Sequence, residues 1–273
     1  MRFQNYRVVC VTALVAVALL GLGIGARPVR AQAPPASAGP VSPALIEDLV
    51  AAYRILAKEG ILDAFGHVSI RHPGNPNRYV MARAVAPALV TADDMMEFDL
   101  DSNAVNPKAG TATNERFIHG EIYKVRPDVK AVVHSHSPTV VPFSVTNVPM
   151  RPVLHTASFL YVGVPVFEVR DAGGPYTTIQ ISNGMLGKAL AAKLGDKPVV
   201  LLRGHGNAVV APDIQTVVRY TYYTEVNAKM QVIALGLGGP VNYVSREEGE
   251  TREKSPIPFE RAWELWKKDA LGR

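Results

Sequence analysis

The stretch Ala-Val-Val-His-Ser-His at residues 131–136 decides the fold that we expect, because it joins a buried strand to two histidines at its end. Three apolar residues in succession are typical of a strand inside a sheet. Alternate residues of a strand point to the same face, so His134 and His136 project in the same direction. The end of a strand is also where α/β sheets tend to carry their functional sites.

A third histidine, His205, follows the apolar strand at residues 199–202 and lies between two glycines. Glycine on each side allows a sharp turn and a close backbone approach, which can direct a side chain into a cavity. Neutral imidazole is a good ligand for Zn²⁺, and three histidines with one open position form a catalytic arrangement. Glu115, 19 residues before His134, can complete the coordination or act as an acid/base next to the metal.

Each of these residues also has an ordinary structural interpretation. Two histidines on a strand are often polar edge residues, and a histidine between glycines can belong to a simple turn. Glu115 lies in the first turn of a predicted helix, where the helix dipole favours a carboxylate. The joint occurrence of all four side chains is what favours a metal site.

Strands and helices alternate along the chain, which predicts an α/β fold. Thr113 and Asp213 are the predicted N-caps of two of the helices. The predicted helices are residues 43–59, 114–125, 184–194, 214–235 and 258–270, with another after Pro138, and the predicted strands are residues 66–71, 79–81, 96–100, 131–136, 164–169, 177–181, 199–202 and 208–210.

The N-terminal residues 1–33 are predicted to be a secretory signal peptide. A basic start is followed by an apolar run of 18 residues from Val8 to Gly25, and Ala31-Gln32-Ala33 offers a cleavage site. The alternative is an uncleaved membrane anchor. We expect a periplasmic or secreted protein with no membrane contact after cleavage, in which residues 34–43 form a flexible lead-in and residues 44–273 form one domain.

Most of the net positive charge of the chain lies in the predicted leader. The 273 residues carry a net charge of +5, but residues 1–33 contain four arginines and no acid, so the remainder has 25 basic and 24 acidic residues. No basic run with interleaved aromatic residues is present, which argues against nucleic-acid binding. The single cysteine, Cys10, also lies in the leader. The remainder therefore has no cysteine nucleophile and no cysteine metal ligand.

Several motifs resemble the class II aldolase/adducin family, over roughly residues 44–243. The motifs are Phe-Gly-His-Val-Ser-Ile-Arg at 65–71, Asn-Glu-Arg-Phe-Ile-His at 114–119 with Tyr123, Ala-Val-Val-His-Ser-His-Ser at 131–137, Leu-Arg-Gly-His-Gly-Asn at 202–207 and Tyr-Thr-Glu-Val-Asn-Ala at 223–228. The resemblance implies a three-layer α/β/α domain with a central, largely antiparallel sheet, and an assembly that is often a homotetramer with active sites between subunits.

The resemblance also implies the roles of the four candidate residues. His134, His136 and His205 correspond to the family's ligands for a divalent metal, commonly Zn²⁺, with Mn²⁺ or Mg²⁺ as alternatives. Glu115 corresponds to the family's acid/base, which can also bind the metal. His119 lies one helical turn after Glu115, and we expect it to orient other groups rather than bind the metal.

Departures from the phosphosugar aldolases of this family disfavour a phosphorylated substrate. His67 replaces the asparagine of their phosphate-binding motif, Thr113 and Asn114 replace a pair of hydroxyl residues, and Thr156 replaces a tyrosine. The segment 81–87 likewise lacks their Ser-Gly or Thr-Gly pair. The compact cradle of hydroxyl groups and glycines is therefore mostly missing.

The residues at 66–73, 86–91 and 97–101 are instead similar to the decarboxylase branch, whose members act on acids of the hydroxy-carboxymuconate-semialdehyde type. Arg83 offers a planar fork suited to a carboxylate, although a surface arginine or an ion pair is an equal alternative. His67 is predicted to be catalytic, with a structural histidine as the alternative. Ser69 and Asn114 are predicted to contact the small carboxylate substrate.

These observations predict a divalent-metal-dependent carbon–carbon lyase, foremost a decarboxylase of a small oxo or hydroxy carboxylic acid. In this hypothesis the cation stabilises an enolate, and Glu115 with His67 moves the proton. The enzymatic alternative is an aldolase or epimerase that acts on an unphosphorylated sugar or sugar acid. The alternative without enzymatic activity is an adducin-like binding module, although adducin-type members lack the metal histidines that are present here.

Overall fold

The computed structural model describes residues 33–256 and 258–272. The predicted signal peptide lies outside the described residues except for Ala33, so its cleavage and the location of the protein stay predictions. No described helix combines the length and the apolar character needed to cross a bilayer.

Seven strands of the described chain form one mixed sheet in the order β3-β2-β1-β4-β7-β6-β5. The strands are β1 (His67–Arg71), β2 (Arg78–Ala82), β3 (Met95–Asp99), β4 (Ala131–Ser135), β5 (Val166–Phe167), β6 (Val199–Leu202) and β7 (Gly206–Ala211). Every neighbouring pair is antiparallel except β5 with β6. The prediction of a largely antiparallel central sheet is confirmed.

Helices cover both faces of this sheet. In the described residues they are α1 (Pro43–Lys58), α2 (Phe117–Val125), α3 (Val141–Ser144), α4 (Arg170–Gly173), α5 (Gly184–Leu194), α6 (Ile214–Gly236), α7 (Arg246–Lys254) and α8 (Glu260–Leu271). Side-chain oxygens cap the first turns of the two longest described helices, α1 and α6. Ser42 accepts from the Leu45 amide at the start of α1, and Asp213 accepts from the Thr216 amide at the start of α6.

Two hydrophobic cores lie on opposite faces of the sheet. Val133 of β4 packs into one core with Leu49 of α1, Val217 of α6 and Trp263 of α8. Its neighbour Val132 points the other way, into a second core made with α2 and α5. Because alternate side chains of a strand point to opposite faces, the residues of β4 contribute to both cores. The predicted three-layer α/β/α architecture is confirmed.

The structure corrects the predicted start of the second helix. Residues Asn114–Arg116 form a 3₁₀ turn before α2, with Glu115 at φ −90° and ψ 18° and no side-chain cap from Thr113. A helix that continued regularly through Glu115 would direct its carboxylate differently. The kink at Glu115 therefore helps to set the direction of its carboxylate.

The predicted strand at 177–181 is absent, because the backbone turns at Ile179, which has a φ of 68°. A positive φ is incompatible with an extended strand and costly for a β-branched residue. The helix expected after Pro138 is the four-residue α3, and α7 was not predicted.

Residues 34–42 of the expected flexible lead-in form no helix or strand, yet they are attached to the sheet. Ser37 Oγ and the Ala38 amide donate hydrogen bonds of 2.6 and 2.7 Å to Glu97 on β3. The Arg78 guanidinium donates to the carbonyl of Ala36, and His72 Nε2 lies 3.0 Å from the carbonyl oxygen of Gly39. These contacts tie the segment to the edge of the sheet.

Candidate metal centre

Three imidazole nitrogens point at a common position at one end of the sheet. His136 Nε2 lies 3.2 Å from His134 Nε2 and 3.1 Å from His205 Nε2. Glu115 Oε2 lies 3.7 Å from His134 Nε2 and 3.4 Å from His205 Nε2. The structure thus brings together the four predicted ligands, although the sequence separates them by up to 90 residues.

The opposite nitrogen of each ring is held by a hydrogen-bond acceptor. His134 Nδ1 lies 3.1 Å from the carbonyl oxygen of Asn207, and His205 Nδ1 lies 3.1 Å from that of Ile179. His136 Nδ1 lies 2.9 Å from the Asp63 carboxylate. Each acceptor places the proton on Nδ1 and leaves the Nε2 lone pair directed to the common position.

Close packing of two strands places the three histidines. His134 lies within β4 and His136 directly after it, whereas His205 lies in the tight turn between β6 and β7, where Gly204 has a φ of 63°. A Cβ atom on Gly206 would overlap the backbone carbonyl oxygen of Ser135. Glycine at this position therefore lets the turn approach β4 closely enough for the imidazoles to converge.

Glu115 is fixed by its second oxygen, since Oε1 accepts a hydrogen bond of 2.8 Å from the Ile181 amide. Burial alone would raise its pKa. The nearby imidazoles of His205 and His134, together with the Ile181 amide, outweigh burial and lower the pKa of Glu115 to about 2. The side chain is therefore an anionic carboxylate at neutral pH.

These residues fit a divalent cation. Their ligand atoms all lie within 4.8 Å of one another. Four ligands at about 2.0–2.1 Å around a tetrahedral Zn²⁺ are about 3.3 Å apart, close to the separations found here. Burial lowers the pKa of His134 to about 3, so this ring is neutral and able to bind a metal. Imidazole with one carboxylate suits zinc and related divalent metals.

A cavity of about 570 Å³ opens above this centre. His67, Arg83 and Asn114 line it, as expected of substrate-facing residues. Arg83 also forms an ion pair of 2.7 Å with Asp94, which is the structural alternative, and its contact with a substrate carboxylate stays a prediction. Asn114 faces Gln180 across 3.5 Å.

Ser69 does not reach the cavity, which contradicts its predicted contact with substrate. It is fully buried, and its hydroxyl lies 2.6 Å from His119 Nδ1 and 2.8 Å from the Tyr123 hydroxyl. His67 and Ser69 share one face of β1, but Ser69 lies two residues deeper in the sheet, beneath the imidazole of His119. His119 itself lies outside the group of metal-type ligands in the described residues, as predicted.

Two supports of the centre were not predicted from the sequence. Asp63 holds His136, and the 178–181 segment holds His205 through a carbonyl and Glu115 through an amide. Ile179, the residue with positive φ, provides that carbonyl. A strained residue at a functional site is a known correlate of function, but nothing in the sequence marks it.

Replacing Asp63 with asparagine is expected to weaken metal binding about 10–100-fold, because the carboxylate that orients His136 is lost. The fold should persist, since an asparagine oxygen can still accept from the Phe65 and Gly66 amides as Asp63 Oδ1 does. Competition with a chromophoric chelator measures the affinity. Asp196→Asn, an exposed acid on another loop, is the matched control. Equal affinities in both variants would contradict the role of Asp63.

Solved structures with the same fold include class II aldolases. An aldolase II superfamily protein from Pseudomonas syringae has a TM-score of 0.71 at 23% identity, covering 85% of this chain and 95% of that one. L-fuculose 1-phosphate aldolase from Glaciozyma antarctica has a TM-score of 0.66 at 22% identity, covering 86% and 93%. The fold is that of the class II aldolases.

Sequence comparison extends the likeness from fold to family. Residues 47–232 match the Class II Aldolase and Adducin N-terminal domain. Decarboxylase tropJ from Talaromyces stipitatus is 34% identical over 244 residues, 81% of this chain and 92% of that protein. The 3,4-dihydroxyphthalate decarboxylase from Arthrobacter keyseri is 30% identical over 205 residues, 71% and 79% of the two chains. The chain belongs to the class II aldolase/adducin family, and it is a lyase.

Proposed function

We propose that the protein is a divalent-metal-dependent decarboxylase of a hydroxy or oxo carboxylic acid. The observation that carries the proposal is the convergence of His134, His136, His205 and Glu115 at the base of a cavity whose wall includes Arg83. The two relatives with the highest identities quoted above are both named decarboxylases, which supports this reaction over aldol cleavage.

A bound divalent cation, of which Zn²⁺ is the first candidate and Mn²⁺ or Mg²⁺ the alternatives, would supply positive charge that stabilises negative charge on a substrate oxygen. Arg83 is placed to bind the substrate carboxylate at the cavity wall, with Asp94 fixing the orientation of its guanidinium. When CO₂ leaves, the electron pair of the broken C–C bond stays on the substrate and a proton must be added at carbon. Glu115 and His67 line the cavity in which this proton is added.

The cavity wall favours a flat, partly apolar substrate. Phe65, Val85 and Ile179 provide apolar surface, whereas Asn114 and Gln180 provide amide groups. A relative acts, by its name, on 3,4-dihydroxyphthalate, an aromatic acid with adjacent hydroxyl groups. We therefore propose a hydroxylated aromatic acid, or a ring-cleavage product of similar size, as the substrate class.

The proposal is tested by incubating the metal-loaded protein with 3,4-dihydroxyphthalate and with phthalate, which lacks the hydroxyls. We expect CO₂ release from the dihydroxy acid, loss of the reaction after chelation, and no release from phthalate. L-fuculose 1-phosphate serves as the aldolase substrate. Release of an aldehyde from the phosphosugar, with no CO₂ from any hydroxy or oxo acid in a wider panel, would overturn the decarboxylase assignment in favour of an aldolase.

A further inference from the structure

A buried chain of polar side chains runs from the cavity into the interior, on the α2 side of the sheet. His67 Nδ1 lies 2.6 Å from His119 Nε2, and His119 Nδ1 lies 2.6 Å from Ser69 Oγ. Ser69 Oγ lies 2.8 Å from the Tyr123 hydroxyl. All four side chains are at least 98% buried. The chain is therefore shielded from water along its length.

The inner end of this chain sets the direction of its hydrogen bonds. Within the described residues, Ser69 is the hydrogen-bond partner of the Tyr123 hydroxyl. Burial raises the pKa of Tyr123, so the phenol keeps its proton. A buried hydroxyl proton without an acceptor is costly, and Ser69 Oγ is the acceptor within reach. Tyr123 therefore donates to Ser69.

The donor of each remaining hydrogen bond in this series of side chains follows from that first bond. The buried proton of Ser69 also needs an acceptor, and with the Tyr123 hydroxyl acting as donor, the acceptor within reach is His119 Nδ1. Burial lowers the pKa of His119 to about 3, so the ring is neutral and carries its proton on Nε2. That proton is donated to His67 Nδ1. Since His67 Nδ1 accepts this hydrogen bond, it carries no proton, and the ring proton of His67 lies on Nε2.

His67 Nε2 is the outer end of the chain. It is buried and has no hydrogen-bond partner among the described residues, and its ring lines the cavity. The centroid of the ring lies 5.0 Å from that of His134. A donor at this position can reach a ligand oxygen beside the candidate metal centre. The reverse direction would present a lone pair there and would repel an anionic oxygen.

We propose that Tyr123, Ser69 and His119 form a tautomer lock, which keeps the Nε2 proton of His67 directed at a carboxylate or enolate-type oxygen of the bound substrate. The identity of that ligand rests on the proposed function. The tautomer assignment rests on the hydrogen-bond chain alone. Tyr123, Ser69 and His119 are positioning residues, whereas His67 contacts the substrate.

The direct test is the imidazole ¹H–¹⁵N correlation spectrum of the full-length, zinc-loaded protein without substrate. We expect His67 and His119 each to have a protonated Nε2 and an unprotonated Nδ1, with assignments from His67→Gln and His119→Gln. A protonated Nδ1 on His67 would overturn the proposal. This measurement needs no turnover, so it separates failure of the tautomer lock from failure of the proposed decarboxylation.

A second test is kinetic, on whichever acid the protein turns over. Ser69→Ala interrupts the chain and should leave both His67 tautomers populated, so we expect kcat to fall about two- to ten-fold at constant metal content. Tyr123→Phe should act in the same direction. Tyr79→Phe is the matched control, because its buried hydroxyl contacts Ser102 and Arg116 outside the chain. Unchanged His67 tautomers in Ser69→Ala would contradict the lock.

Discussion

His134→Ala is expected to lose metal binding by about 100-fold or more, together with all detectable lyase activity. His134 is fully buried, and its Nε2 lies 3.2 Å from His136 Nε2 at the centre of the ligand group. Loss of a group that merely orients a ligand costs about 10–100-fold in affinity, so loss of a ligand itself should cost more. Metal analysis after gel filtration, followed by an activity assay, measures both effects.

The fold of this variant must be checked separately. Removing the imidazole deletes its hydrogen bond to the carbonyl of Asn207, which contributes about 0.5–1.5 kcal/mol. His136→Ala provides a second variant with a smaller expected effect on stability, since that side chain is 22% exposed. His155→Ala, a histidine outside the group of ligands, should keep full metal content. Full metal content and activity in His134→Ala would disprove the candidate metal centre.

Gly206→Ala is expected to destabilise the fold by about 3 kcal/mol, at the upper end of the cost of overpacking. Its Cβ would overlap the Ser135 carbonyl, which is backbone and cannot move aside as a flexible side chain can. Because β4 carries His134 and ends beside His136, any separation of β4 from β7 would also displace two ligands. Urea unfolding should therefore show a loss of stability, and metal titration should show a loss of metal affinity in the same variant.

Gly236→Ala is the matched control for this substitution. Gly236 is the last residue of α6, and a Cβ there would meet no atom within 4 Å. Alanine in a helix is favoured over glycine, so this variant should be as stable as the parent or slightly more so. If Gly206→Ala behaved in the same way, the close approach of β7 to β4 would not be needed for the fold.

Local signals account for the parts of the fold that were predicted well. The start of α6 was predicted correctly because its N-cap, Asp213, is next to the helix in sequence. The predicted bounds of α5 were also correct, and in the structure Asn183 caps its first turn. The helix α7 was missed although Ser245 and Glu248 form a capping box, since its sequence has almost no apolar face to mark it. The turn at Ile179 was missed because isoleucine favours strands and gives no signal of a positive φ.

The candidate site also has parts that local sequence signals predict and parts that they do not. The four candidate ligands could be predicted because the sequence itself shows which residues have metal-binding side chains. They are His134, His136, His205 and Glu115. The groups that orient them are backbone atoms or distant acids, and a carbonyl has no sequence signature. Ser69 was misplaced because strand alternation predicts which face a residue occupies, but not how far it lies from the cavity.

The segment 178–181 contributes both to the candidate metal centre and to the wall of the cavity. Its backbone holds His205 and Glu115, while Thr178, Ile179 and Gln180 form part of the cavity wall. A substrate that rests on this wall and a cation held by these two ligands would stabilise the same conformation of the same few residues. Thermodynamic reciprocity then requires each to increase the affinity of the other. Substrate and metal should bind with positive cooperativity even where they share no direct contact.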